Sequence, residues 1–205
     1  MRIDAPAACL VLSPLSVRGQ AAYFPPLSFD PKPQLDQMMA EELAFVLQYL
    51  GESSIFAESN SPEVESYRFL WGRTFHRPVS VRLDVKAGRG LLTTRIGQGE
   101  TGSPASLKGQ AQTSTRELTD DQVRTFRALM KEVSFWTTTP YGHGDQAGTD
   151  GSTWLIEALQ GGEYHLMQRW SPMQSSEADK EAAKRIGQTL AFDLAQLSIP
   201  QNENY

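Results

Sequence analysis

The loop from Tyr141 to Ser152 carries the side chains most suited to chemistry. It contains one imidazole, His143, two carboxylates, Asp145 and Asp150, and four glycines. An imidazole can exchange protons near neutral pH, and loops often carry binding and catalytic groups. The carboxylates do not follow the alternating spacing of a calcium-binding loop. A connection between a helix and a hairpin would have the same composition, and we favour that interpretation, with Asp150-Gly151 as a turn.

An enzyme built on this loop would need further groups from elsewhere in the chain. The only other histidines are His76 and His165, and no two histidines are spaced four residues apart. A hydrolase site would require the loop to meet His165 or Glu157 in one pocket. A zinc site would require all three histidines, or two with a carboxylate. We therefore expect no catalytic set, no metal and no cofactor.

Three tryptophans, Trp71, Trp154 and Trp170, lie on predicted strands, with Arg73 and Arg169 nearby. Stacked tryptophan and arginine can form a ligand-binding wall through cation–π contacts. Large aromatic side chains on a sheet more often form the core beneath a helix layer, and we favour the core. The candidate binding residues are Tyr141, His143, Asp145, Asp150, Trp154, His165, Arg169 and Trp170.

Part of this pattern resembles a group of uncharacterised bacterial proteins. The shared residues are Asp150-Gly151-x-x-Trp154, Tyr164-His165, Arg169-Trp170-Ser171-Pro172 and the aromatic segment from Tyr67 to Val79. The resemblance runs from about Ser66 to Pro172, roughly half of the chain. It implies no activity, because none is assigned to that group.

The elements that must position these residues begin with a proline-rich segment, residues 1–34, which reads as an extended arm. Helical spacing then predicts a helix from Leu35 to Leu50, with Gly51 as its stop. The next segment predicts a meander of four strands. These are Tyr67 to Phe75, Val79 to Val85 with strict alternation, Leu91 to Ile96 after a turn at Gly88-Arg89-Gly90, and a weak polar strand from Leu107 to Glu117.

The second half predicts a helix, a hairpin and a final helix. Thr119 and Gln122 have the spacing of a capping box. Two strands, Thr153 to Leu159 and Glu163 to Trp170, flank Gly161-Gly162, and the last helix runs from Ser176 to Leu197. This order predicts an α+β fold, with an antiparallel sheet of about six strands and helices packed mainly on one face. We expect one domain over residues 1–205, with its globular core at 35–200.

Charge, hydropathy and cysteine content exclude several classes of protein and partner. The formal net charge is −5, and the 19 lysines and arginines form no block, so we do not expect a nucleic acid partner. No apolar run is long enough for a membrane span. Cys9 is the only cysteine, which excludes an intramolecular disulfide. A cytoplasmic location is expected, with the periplasm as the alternative if a leader has been removed.

These observations favour a protein that binds another protein, such as an immunity protein that neutralises a secreted bacterial toxin, or an adaptor. The alternative is a small hydrolase or ligand-binding protein that uses His143, Asp145 and Asp150 with His165. The sequence leaves the oligomeric state open.

Overall fold

The computed structural model describes residues 22–142, 150–175, 177–200, 203 and 205. Six strands form one sheet in the order β4-β3-β2-β1-β5-β6, and every neighbouring pair is antiparallel. The predicted α+β class is therefore confirmed. The elements are α1 (Pro33–Tyr49), β1 (Glu65–Arg73), β2 (Val79–Lys86), β3 (Arg89–Ile96), β4 (Gln112–Leu118), α2 (Asp120–Glu132), β5 (Ser152–Gln160), β6 (Glu163–Trp170) and α3 (Ala178–Gln188), followed by a π-helix (Thr189–Leu194).

The main hydrophobic core lies between one face of the sheet and helices α2 and α3. Val79, Val81, Leu83 and Val85 all point into it, as their alternation predicts. Helix α2 begins with the predicted capping box between Thr119 and Gln122 and contributes Val123, Phe126 and Met130 to this core. We call this side of the sheet the α2/α3 face.

Helix α1 covers the opposite side, which we call the α1 face. Its residues Leu43, Val46, Leu47 and Leu50 pack with Leu70, Leu155 and Leu166 of the sheet. Phe24 and Phe29, from the segment before α1, are buried in the same cluster. Of the three α-helices in the described residues, α2 and α3 therefore lie on one face and α1 on the other. This is why Ser80, at a position that the alternation directs away from the core, is also fully buried.

The end of α1 directs the chain onto the sheet. Gly51 has a positive φ of 78°, and its amide donates to the carbonyl of Gln48, while the amide of Glu52 donates to the carbonyl of Leu47. These two bonds form a Schellman motif, which favours glycine at this position. Gly51 is therefore the helix stop that the sequence predicts. The turn places the Glu52 side chain, only 1% exposed, against the α1 face of the sheet.

Both tight hairpins use two-residue turns in the left-handed region. Ala87 and Gly88 have φ values of 51° and 82°, and Gly161 and Gly162 have values of 61° and 83°. This geometry is that of a type I′ turn, whose twist matches that of the strands. The first turn lies one residue earlier than predicted, since Arg89 already belongs to β3 and pairs with Lys86.

Three predicted boundaries are wrong. Strand β1 ends at Arg73, and Phe75 is 52% exposed in the turn that follows, where the amide of His76 bonds the carbonyl of Arg73. Strand β4 begins at Gln112 rather than Leu107. The last helix changes at Thr189 from α to π geometry, with the amide of Ala195 donating to the carbonyl of Leu190. No helix in the described part of the chain combines the length and the apolar character that crossing a membrane needs.

Candidate functional site

The described residues include only part of the predicted loop. His143 and Asp145 lie outside the described residues. Asp150 is exposed in the bend before β5. Tyr141 forms a parallel bridge with Gln168 on β6, so the start of the loop is attached to the edge of the sheet.

Trp71, Trp154 and Arg169 form one row across β1, β5 and β6. All three side chains are buried on the α2/α3 face, and the two indole rings lie 5.4 Å apart in an edge-to-face arrangement. The Arg73 guanidinium stacks over the Trp71 ring at 4.7 Å. The core interpretation is confirmed for Trp71 and Trp154, whereas Trp170, at the end of β6, is only partly buried.

A polar pocket lies where β1 ends and β5 begins. We call it the strand-end pocket, and it consists of Trp71, Arg73, His76 and Ser152. Glu203 and Tyr205, from the end of the described chain, contact all four of these residues. Asp150-Gly151, at the end of the predicted loop, comes directly before Ser152, and the Gly151 carbonyl accepts hydrogen bonds from the amide and hydroxyl of Thr74.

His165 and Glu157 lie on opposite faces of the sheet. His165 pairs with Ala158 on the α2/α3 face, where its ring contacts Phe135 edge-on at 5.0 Å. Glu157 points to the α1 face and bonds Arg68 and Tyr164. The two groups therefore do not share a pocket. A loop on one face of the sheet could act with His165 or with Glu157, but not with both.

The environment of His165 predicts a pH effect on stability. Burial lowers the pKa of His165, against opposing contributions from Thr138 and Glu163. An unfolded chain therefore takes up the proton first as the pH falls through about 6.5, which destabilises the folded state. We expect the free energy of unfolding of the wild type to fall more steeply than that of His165→Gln between pH 7.5 and pH 5. Urea titrations over this range would show it, and parallel curves would contradict the assignment.

A charged network is buried beneath α1. The Arg68 guanidinium is fully buried, and its Nε donates to Oε2 of Glu157 at 2.8 Å. Its Nη1 donates to the carbonyl of Ser53 at 2.7 Å and lies 3.4 Å from Oε2 of Glu52. Glu52 in turn accepts hydrogen bonds from Ser80 at 2.8 Å and from Arg95 at 2.6 Å. Every carboxylate in this network therefore has a cationic partner.

Two tyrosines complete the network as neutral donors. Burial raises the pKa of Tyr23 to about 12 and raises that of Tyr164 well above its usual value. Tyr164 therefore stays protonated and donates to Oε1 of Glu157 at 2.8 Å, and Tyr23 donates to the carbonyl of Ser53 at 3.0 Å. A network with its charges paired and its hydroxyls bonded fits a role in positioning α1 on the sheet. Within residues 22–142, 150–175, 177–200, 203 and 205, no group of three His, Cys, Asp or Glu side chains is placed to hold a metal.

The hairpin turn between β2 and β3 determines which backbone groups of β4 point away from the sheet. A two-residue turn makes Lys86 and Arg89 a hydrogen-bonded pair, and such pairs then alternate along an antiparallel ladder. Leu91 and Thr93 therefore bond towards β2, and their neighbours Leu92 and Thr94 bond towards β4. It follows that alternate residues of β4 direct their amides and carbonyls away from the sheet. These residues are Thr113, Thr115 and Glu117.

The same rule explains the opposite edge of the sheet. The turn at Gly161-Gly162 makes Gln160 and Glu163 a bonded pair, so Gln168 of β6 must point outward. Its amide indeed donates to the carbonyl of Pro140 at 2.6 Å. The β6 edge is thus partly covered by the chain itself. Within the described residues, the outward groups of β4 form no hydrogen bond, and Gln112 to Glu117 are all exposed.

Sequence reasoning missed both the open edge and the buried network. The polarity of the Leu107 to Glu117 segment marked a weak strand, and its place at the end of the meander was a usable signal for an edge. Arg68 and Glu157 alternate with core residues, so the sequence pattern directs them towards solvent. Only the coverage of the α1 face by a helix reverses that expectation.

A scan against protein-family models gives no match for this chain, and a search of curated proteins gives no significant match. The resemblance around Asp150-Gly151 and Arg169-Trp170 therefore stays a prediction.

Proposed function

We propose that this protein binds another protein by strand addition, with β4 accepting an extended segment of the partner as a seventh strand. The observation that carries the proposal is the β4 edge, where the outward backbone donors and acceptors of Thr113, Thr115 and Glu117 bond no other group in the described part of the chain. Main-chain hydrogen bonds supply much of the affinity when a peptide is added to a sheet edge.

The composition of β4 supports this role. Soluble proteins usually protect a long edge with proline, lysine, a bulge or a covering segment. Strand β4 spans seven residues without a proline or lysine, and its register with β3 is continuous from Gln112 to Leu118. Its one cation, Arg116, folds back to donate to the carbonyl of Leu194 at 3.1 Å. The edge is therefore regular in its pairing, polar and roughly 23 Å long.

The side chains along the edge indicate the chemistry of the partner. Thr113, Thr115 and Glu117 share the α1 face, because their partners on β3 do. Cross-strand threonine and serine pairs, and pairs of opposite charge, favour sheet pairing. A partner segment with hydroxyl side chains and a basic residue opposite Glu117 fits this edge. The net charge of −5 also favours a basic partner.

Within this class, the proposed role is that of an immunity protein for a secreted toxin or of an adaptor. Both roles need a rigid surface that recognises a partner and perform no chemistry on it. The hydrogen bonds of Glu157 to Arg68 and Tyr164 beneath α1 leave it no free oxygen for proton transfer, and this supports the choice over a hydrolase that uses Glu157.

Proline at position 115 should abolish partner capture. Thr115→Pro removes one outward amide but leaves the ladder with β3 intact, since Thr115 does not bond towards β3. Thr115→Val is the matched control, because it retains the amide and a β-branched side chain. Each variant would be used as bait in the native host, with captured proteins quantified by mass spectrometry.

The expected result is one or more partners captured by the wild type and by Thr115→Val, and reduced at least tenfold with Thr115→Pro. Thermal melts and circular dichroism would confirm that both variants are folded. Equal capture by the two folded variants would contradict strand addition at β4.

A further inference from the structure

The strand-end pocket contains polar groups that Glu203 and Tyr205 satisfy. The Trp71 indole donates from Nε1 to the backbone carbonyl of Tyr205 at 3.0 Å, and the Ser152 hydroxyl donates to the same oxygen. The indole of Trp154 donates to the Ser152 hydroxyl at 3.1 Å. The Tyr205 carbonyl thus accepts from Trp71 and Ser152, and hydrogen bonds link it through Ser152 to Trp154.

A second set of contacts involves Glu203, two residues before Tyr205. Nη1 of Arg73 lies 3.2 Å from a carboxylate oxygen of Glu203 and 3.3 Å from its backbone carbonyl. Arg73 is only 1% exposed, and its Nε has no hydrogen-bond partner within the described residues. A buried guanidinium needs an anionic partner, and here Glu203 supplies it.

The third set of contacts involves the Tyr205 side chain. Its hydroxyl lies 2.8 Å from Nδ1 of His76, and the two rings meet edge-on at 5.5 Å. The Phe75 amide also lies 3.5 Å from this hydroxyl. The pocket therefore contacts a backbone carbonyl, a carboxylate and a phenol, all in one short segment of chain.

We infer that the strand-end pocket is a binding site for a short peptide segment that carries a carboxylate two residues before a tyrosine, in the turn that the amide of Glu203 forms with the carbonyl of Pro200. The chain's own Glu203 and Tyr205 occupy it and compete with such a segment from a partner. Without a ligand, the Trp71 indole and the Arg73 guanidinium would be buried with unmet hydrogen bonds, which is costly. Side chains near the ends of two strands contact a carbonyl, a carboxylate and a phenol, which other peptides also carry. A segment from another chain can therefore replace Glu203 and Tyr205.

Competition within the chain sets the concentration range of the test. A tethered segment has an effective concentration of the order of millimolar, so a free peptide must reach that range to displace it. Weakening the contacts of Glu203 and Tyr205 should lower the peptide concentration that is needed. The variant Glu203→Ala/Tyr205→Ala removes the carboxylate and the phenol while leaving the pocket residues unchanged.

The test measures fluorescence anisotropy of a labelled synthetic peptide with the sequence of residues 198–205. We expect the double variant to bind it at least tenfold more tightly than the wild type does. A peptide with alanine at the positions of Glu203 and Tyr205 should not bind either chain. Thr115→Pro should bind like the wild type, which separates this site from the β4 edge.

A second measurement covers the case in which the double variant does not fold. The same peptide, carrying a nitroxide at its amino end, would be added at millimolar concentration to the ¹⁵N-labelled wild type. Displacement of the chain's own segment would broaden the indole resonance of Trp71. Absence of binding by a folded double variant, or absence of broadening in the wild type, would overturn the inference.

Discussion

Replacing Glu157 by leucine is expected to destabilise the fold by about 3–5 kcal/mol, the range measured when one partner of a buried ion pair is removed. Glu157 and Arg68 are both fully buried, and the guanidinium donates twice to the same carboxylate oxygen. Burial by itself lowers the pKa of Arg68, but Glu157, Tyr23 and Glu52 together raise it above its usual value. A guanidinium is not deprotonated in proteins, so Arg68 stays charged when Glu157 is removed, and its charge remains buried with only Glu52 as a more distant anionic partner.

Chemical denaturation of purified variants would measure this effect. The double variant Arg68→Met/Glu157→Leu should recover much of the loss, because it leaves no unpaired charge between these two positions. Glu163→Leu, on the exposed end of the same hairpin, is the control and should change stability by no more than about 0.5 kcal/mol. A loss below about 1 kcal/mol for Glu157→Leu would show that water or another group solvates Arg68.

The second large effect is expected at Leu83, in the middle of β2. Leu83 is fully buried on the α2/α3 face, where the side chain lies close to Gly90. Leu83→Ala should cost about 2–5 kcal/mol, through lost burial and the cavity that remains. Leu91→Ala is the matched control, since Leu91 is 45% exposed on the adjacent strand. Equal losses for the two variants in urea denaturation would show that β2 is not buried as described.

The strands and their order were largely predictable from local pattern. Strict alternation in Val79 to Val85 requires a buried face, and Gly161-Gly162 favours the turn that the structure contains. The capping box at Thr119 fixes the start of α2 for a similar local reason. In each case the signal lies within a few residues of the element that it determines.

The features that depend on distant contacts were not predictable. Nothing near Arg68 in the sequence indicates that Glu157, 89 residues away, supplies its counter-charge. The placement of β5 beside β1 leaves β4 at an edge, and this pairing is not encoded in either strand alone. The contacts of Tyr205 with the strand-end pocket likewise join distant positions, 134 residues apart for Trp71 and 53 for Ser152.

Amide hydrogen exchange along β4 tests strand addition most directly. In the free protein, the amides of Thr113, Thr115 and Glu117 should exchange fast, and those of Ser114 and Arg116 slowly, because only the latter bond towards β3. Once a partner identified with the Thr115→Val bait is added, the three fast amides should become protected. If a saturated complex leaves these three amides as fast as in the free protein, the β4 edge is not the binding surface and strand addition is wrong.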